Sequence, residues 1–163
     1  MKHLTLRQLS RFVALFARLY LGWLFVTASL HKIAQPAVFA VDVATYQLLP
    51  IWAVNAFAIV VPWVELGAGA LLVLGIRVRA SALLMACMMV SFMVALGWAL
   101  HLELDMTCGC FASQGATDED PISSWTLLRD TGWLLLAAYV VVADRRPIGL
   151  EAWVGGLWEK RSA

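Results

Sequence analysis

The sequence predicts an all-α integral membrane protein, a four-helix bundle with short interfacial helices. Two observations carry this. Of its 163 residues 62% are hydrophobic and only 14% charged, with a mean hydropathy of +0.80, well outside the range of soluble globular domains. In addition, four apolar runs reach the length needed to cross a bilayer, about 20 residues. Backbone groups in lipid must be satisfied within their own segment, so these runs are helices. One transmembrane domain accounts for the whole of 1–163.

The spans fall at about 12–33, 51–76, 80–102 and 125–143. The first is read as a retained span and not a cleaved leader, because it is long and Arg18 interrupts it. Lys2, Arg7 and Arg11 precede it, Arg77 and Arg79 separate the second and third spans, and Arg145 and Arg146 follow the fourth. The segments 34–50 and 103–124 contain no Lys or Arg. The positive-inside rule therefore predicts both termini in the cytoplasm, with 103–124 as an outer loop. A bacterial inner membrane fits this arrangement. Pro36, followed by Phe39, Val43 and Tyr46 on one stripe, predicts a short outer-face helix. The tail 144–163 places Leu150, Trp153, Val154, Leu157 and Trp158 on one face, as a helix lying in the cytoplasmic interface would. A net charge of +1 with no basic run argues against a nucleic-acid partner.

Charged residues inside spans usually face a bundle interior and pair. Arg18 and Glu65 differ in depth by on the order of 7 Å at the helical rise, so an Arg18–Glu65 pair is expected. The alternative has Arg18 snorkelling to the surface and Glu65 protonated. Arg18, Gly22, Phe25, Ser29 and Lys32 share a stripe that should face the core. Gly67, Gly69 and Ala70 form a small-residue face suited to close helix contact. His31 and Lys32 close the first span, and Arg129 and Asp130 open the fourth. With Glu103 and Asp105 they are expected at the depth of two thiols, in an electropositive setting that raises thiol reactivity.

Those thiols are Cys108 and Cys110 in "LDMTCGCFASQ". Gly109 between them accepts the backbone strain of a small disulfide ring. A bridge enclosing one residue constrains little of the unfolded chain, and a strained one suits exchange better than support. Disulfides also persist on the outer side. Three readings remain: a redox pair, which is favoured, a soft-metal site, and an inert pair. Met85, Met88, Met89 and Met93 could extend a copper-type path, although methionine stripes more often pack. Cys87 is read as a small buried residue, and no metal ligand set is assigned.

The order "R..LG..F...SLHKI..P..F" from Arg18, "LLP", "P..ELGAGALL..G", "CGCF" and "WTLLRD" resembles the MauE/DoxX-like family of redox-associated membrane proteins. The likeness covers nearly everything from Arg18 to Ala143, and CGCF with the Trp125–Arg129–Asp130 opening of the last span is its most specific part. After CGCF the chain continues "ASQGATDEDP", where the family pattern leads one to expect glycine at once. The resemblance implies a four-helix bundle and a disulfide-maturation role. In the methylamine-utilisation member that role concerns the disulfide-rich small subunit of methylamine dehydrogenase and a thioredoxin-like partner. It further implies Cys108 and Cys110 as the redox pair, with Arg18, Glu65, Arg129 and Asp130 as a polar core beside Lys32 and His31. The expected activity is thiol–disulfide oxidoreduction with a thioredoxin-like or cysteine-rich outer-face protein, and a quinone as candidate membrane carrier. The alternatives are a soft-metal carrier or chaperone and a non-catalytic anchor subunit of an oxidoreductase.

Overall fold

Proline and glycine set the helix ends in the computed structural model, which describes residues 2–102 and 124–144. Helix α1 spans Lys2–Ala34 and α2 spans Pro36–Thr45. Gln35 between them is non-helical (φ −131°, ψ 63°), as a residue before proline prefers, and Pro36 then starts α2 where no N–H is needed. Pro50 likewise precedes α3, Ile51–Leu74. That helix stops at Gly75, whose φ of 73° is left-handed. The Gly75 N–H bonds the Leu72 carbonyl and the Ile76 N–H the Leu71 carbonyl, a glycine-dependent helix stop. Helix α4 follows at Val78–His101, and α5 at Ser124–Ala143. No strand occurs among the described residues.

Helices α1, α3, α4 and α5 are each long and apolar enough to cross a membrane. They form a ring in which α1 packs on α3 and α5, and α4 completes it between them. Helix α2 lies across α1 and α3 at one end. That end will be called the α2 end; the opposite one, at the α3–α4 connection, is the turn end. The predicted α2 stripe is seen, with Phe39, Val43 and Tyr46 all buried, the first two against Val54 and Ala58 of α3 and Tyr46 edge-on to Phe92 of α4. The main core joins Leu21, Phe25, Leu72, Met85, Ala137 and Val140. Large apolar side chains such as Trp23, Trp63, Val94 and Leu135 point outward, which suits a bundle whose solvent is lipid.

The predicted α1 stripe does face inward: Arg18, Gly22, Phe25, Ser29 and Lys32 are all buried. Its contact with α3 is closest at Gly22 and Gly69. A Cβ on Gly22 would stand 2.5 Å from Val73 Cγ2 and 3.1 Å from the Gly69 carbonyl; one on Gly69 would stand 3.1 Å from the Gly22 carbonyl. Without a hydrophobic drive between helices in lipid, such backbone approach supplies much of the packing. Gly67, expected on the same face, is instead exposed with open space around it, and Ala68 takes the buried place. Gly22→Val is therefore expected to destabilise by about 1–3 kcal/mol, the usual range for overpacking. Gly67→Ala should be neutral or slightly stabilising. Chemical unfolding in detergent measures both; equal effects would contradict the packing described.

Candidate functional site

Side chains on a helix lean toward its N-terminus, and this rule decides which charges meet. At the Gly22–Gly69 contact, with Val73 beside Gly22 and Val26 beside Gly69, α1 and α3 run antiparallel. Lys32 lies nearer the α2 end than Glu65 and leans back toward the middle of the bundle, while Glu65 leans toward the α2 end. They meet: Lys32 Nζ donates to Glu65 Oε2 at 2.8 Å and to Oε1 at 3.0 Å. Only 6% and 12% of the two side chains is exposed. The ammonium also stands 5.1 Å from the centroid of the Phe39 ring, a cation–π arrangement that ties α2 to the pair.

The Arg18–Glu65 pair expected from depth alone is not formed. Arg18 lies on the turn-end side of the Gly22–Gly69 contact and Glu65 on its α2 side, and the two side chains lean apart. Arg18 leans toward the turn end and reaches Asp144 at the end of α5, Nη1 to Oδ2 at 3.3 Å. A cation is favoured there twice, by the carboxylate and by the C-terminal end of the α5 dipole. Asp144, assigned by sequence to the interfacial tail, is thus a buried partner inside the bundle. The signal for it was a lone acid directly after an apolar run and before Arg145 and Arg146.

Asp130 is 1% exposed. Its Oδ1 accepts from Arg129 Nε at 3.1 Å, and its Oδ2 meets no hydrogen-bond partner among the described residues. The Arg129 guanidinium lies 4.7 Å from the centroid of the Trp133 ring, and Trp133 Nε1 in turn donates to Tyr20 on α1. His31 is half-buried and does not line the chamber described next. Cys87 is exposed on α4, not buried as read from sequence: the lipid-facing side of this helix is as apolar as its inner side, so periodicity could not orient it. Met85 and Met89 sit in the core, as packing residues do. No group of three or more His, Cys, Asp or Glu side chains is placed to hold a metal among the described residues.

Beneath α2, toward the α2 end, lies a cavity of about 390 Å³. Lys32, Glu65 and Asp130 line it together with Asp42 and Tyr46 of the α2 segment and a wall of Phe, Met and aliphatic side chains. Burial pushes the Asp42 carboxyl above the ordinary carboxylate range. Sequence reasoning missed this chamber and Asp42, and read Tyr46 only as part of the α2 stripe. Cys108, Cys110, Glu103, Asp105, Arg145, Arg146 and the tail stripe lie outside the described residues. What the structure does bring to one chamber are three of the polar residues read from sequence, Lys32, Glu65 and Asp130. Arg18 belongs to the other end.

Residues 10–143 match the family model of the methylamine utilisation protein MauE. The chain belongs to the MauE family. The methylamine utilization protein MauE of Methylorubrum extorquens is 33% identical over 130 residues, 78% of this chain and 67% of that relative. The MauE of Methylophilus methylotrophus is 37% identical over 144 residues, 85% of this chain and 73% of its own length. No solved structure matches the chain. The MauE match takes in all four membrane-length spans, the three ion pairs except Asp144, and the segment carrying Cys108 and Cys110.

Proposed function

We propose that this integral membrane protein is a disulfide-maturation factor of methylamine utilisation or a closely similar oxidative process. It exchanges electrons through Cys108 and Cys110 with a thioredoxin-like or cysteine-rich protein on the outer face of a bacterial inner membrane. The observation that carries the reading is the Cys-Gly-Cys sequence in a basic-free connection between two spans. The helix ends that flank this connection, His101 and Ser124, belong to α4 and α5, and Asp130 lies in the second turn of α5.

The chemistry balances as a thiol–disulfide exchange. The Cys108 thiolate attacks one sulfur of the partner's disulfide, forming a mixed disulfide and releasing the partner's first thiolate. The Cys110 thiolate then attacks the Cys108 sulfur and releases the second. The partner leaves as a dithiol and the pair is left oxidised; run backwards, the same steps oxidise the partner. A membrane carrier that gives or takes two electrons and two protons resets the pair. Arg129, in the second turn of α5, supplies positive charge that favours the thiolate form.

The test is the state of the pair in native membranes. Differential alkylation and mass spectrometry should find Cys108 and Cys110 interconverting between dithiol and disulfide as external reductant is varied. A membrane-impermeant thiol reagent applied to intact cells after mild reduction should label the pair. Labelling only after permeabilisation would overturn the proposed orientation, and a pair locked in one state under all poises would overturn the exchange.

A further inference from the structure

The chamber beneath α2 has the make-up of a ligand site and not of a packing defect. Its volume, about 390 Å³, falls within the span of small-molecule sites, roughly 300–1,000 Å³. Much of its wall is flat or polarisable, from Phe25, Phe39, Phe57, Phe92, Met88 and Met89. Leu48, Phe57 and Ser91 line it and are also exposed, so it opens sideways where α3 and α4 face lipid. Three acids and a lysine border it nonetheless, and burying such groups beside hydrocarbon alone is costly. Asp130 Oδ2 is an acceptor without a hydrogen-bond partner among the described residues, on a carboxyl only 1% exposed. The Lys32 ammonium supplies N–H donors at the same chamber.

From these observations we infer that the chamber binds a lipid-soluble molecule with an oxygen-bearing aromatic head, of the quinone–quinol class, entering between α3 and α4. Aromatic and thioether walls stack on a flat ring. A ring carbonyl accepts from Lys32, and the hydroxyl of the reduced ring donates to Asp130 Oδ2. An acyl chain offers Asp130 Oδ2 no donor. The inference rests on the exchange reading only in giving its carrier a place; binding itself needs no cysteine.

The experiment uses the full chain purified in dodecyl maltoside, with decylubiquinone, decylubiquinol and decanol as probes and the unfolding temperature as readout. Decylubiquinone should raise that temperature saturably, and decanol should not. Ala95→Phe, which fills the chamber, should weaken binding at least tenfold while unfolding no earlier than the parent protein; Val61→Phe, on α3, serves if that variant does not fold. Asp130→Asn should weaken decylubiquinol more than decylubiquinone, since only the reduced ring donates. Unchanged binding in the filled variants, or an equal response to decanol, would overturn the inference. The Cys108→Ser/Cys110→Ser variant should bind as the parent does, so failure of thiol exchange leaves this result standing. Loss of binding in that variant would place the ligand at the loop and overturn the site.

Discussion

Glu65→Ala is expected to destabilise the bundle by about 3–5 kcal/mol, the cost of stripping one partner from a buried ion pair. The lysine left behind is 6% exposed in a bundle surrounded by lipid. Lys32→Ala should cost as much, by leaving the Glu65 carboxylate in the same chamber. Glu65→Gln keeps an oxygen for the ammonium and should be milder. Lys32→Met combined with Glu65→Leu removes both charges and should recover most of the loss, as replaced buried pairs generally do. Double-mutant cycles by unfolding in detergent separate the pairings. Arg18 should couple to Asp144 and Lys32 to Glu65, whereas Arg18 and Glu65 substitutions should add within about 0.5 kcal/mol, as distant sites do. Strong coupling between Arg18 and Glu65 would refute the pairing described.

The second large effect concerns the cysteines, and here the expected change is all-or-none. With Cys108 as attacker, Cys110→Ser removes the thiol that resolves the mixed disulfide. That variant should accumulate a reducible adduct with a thioredoxin-fold or cysteine-rich protein, visible on non-reducing gels and identified by mass spectrometry. Cys108→Ser should accumulate none. The mirror-image result would keep the exchange and reverse the two roles. A soft-metal carrier gives a different pattern: no adduct from either variant, and loss of stoichiometric copper or zinc from both. That pattern, with bound metal in the parent protein, would end the redox reading.

Much of the fold was legible because lipid imposes simple rules. Four apolar runs, with Pro36, Pro50 and Gly75 near their ends, mark out the helices, and the Phe39–Val43–Tyr46 spacing marks the face of α2. The partners of the buried charges were not legible. Counting depth along a helix treats a side chain as a point on the axis, but each leans toward its own N-terminus. On antiparallel neighbours the two leans oppose each other, which joins Lys32 to Glu65 and carries Arg18 away. The register of α1 on α3, set by Gly22 and Gly69, shifts the levels further. Cys87 was misread because inward and lipid-facing sides of α4 are equally apolar. The chamber was invisible for another reason: its wall draws on residues 25 to 130, and no local pattern reports a space between helices.

The two ion pairs that join distant parts of the chain also differ in when they can come into being during synthesis. Lys32 and Glu65 are 33 positions apart, so a nascent chain holds both once its second span is made. Arg18 and Asp144 are 126 positions apart, and the acid follows the last residue of α5. Before that point the ribosome has delivered a guanidinium to the membrane without its counter-charge. A chain cut short in α5 keeps the lipid-crossing length of its earlier helices but forfeits the closing contact of the ring. Completion of α5 is thereby written into the bundle as an electrostatic difference between a chain that contains it and one cut short within it.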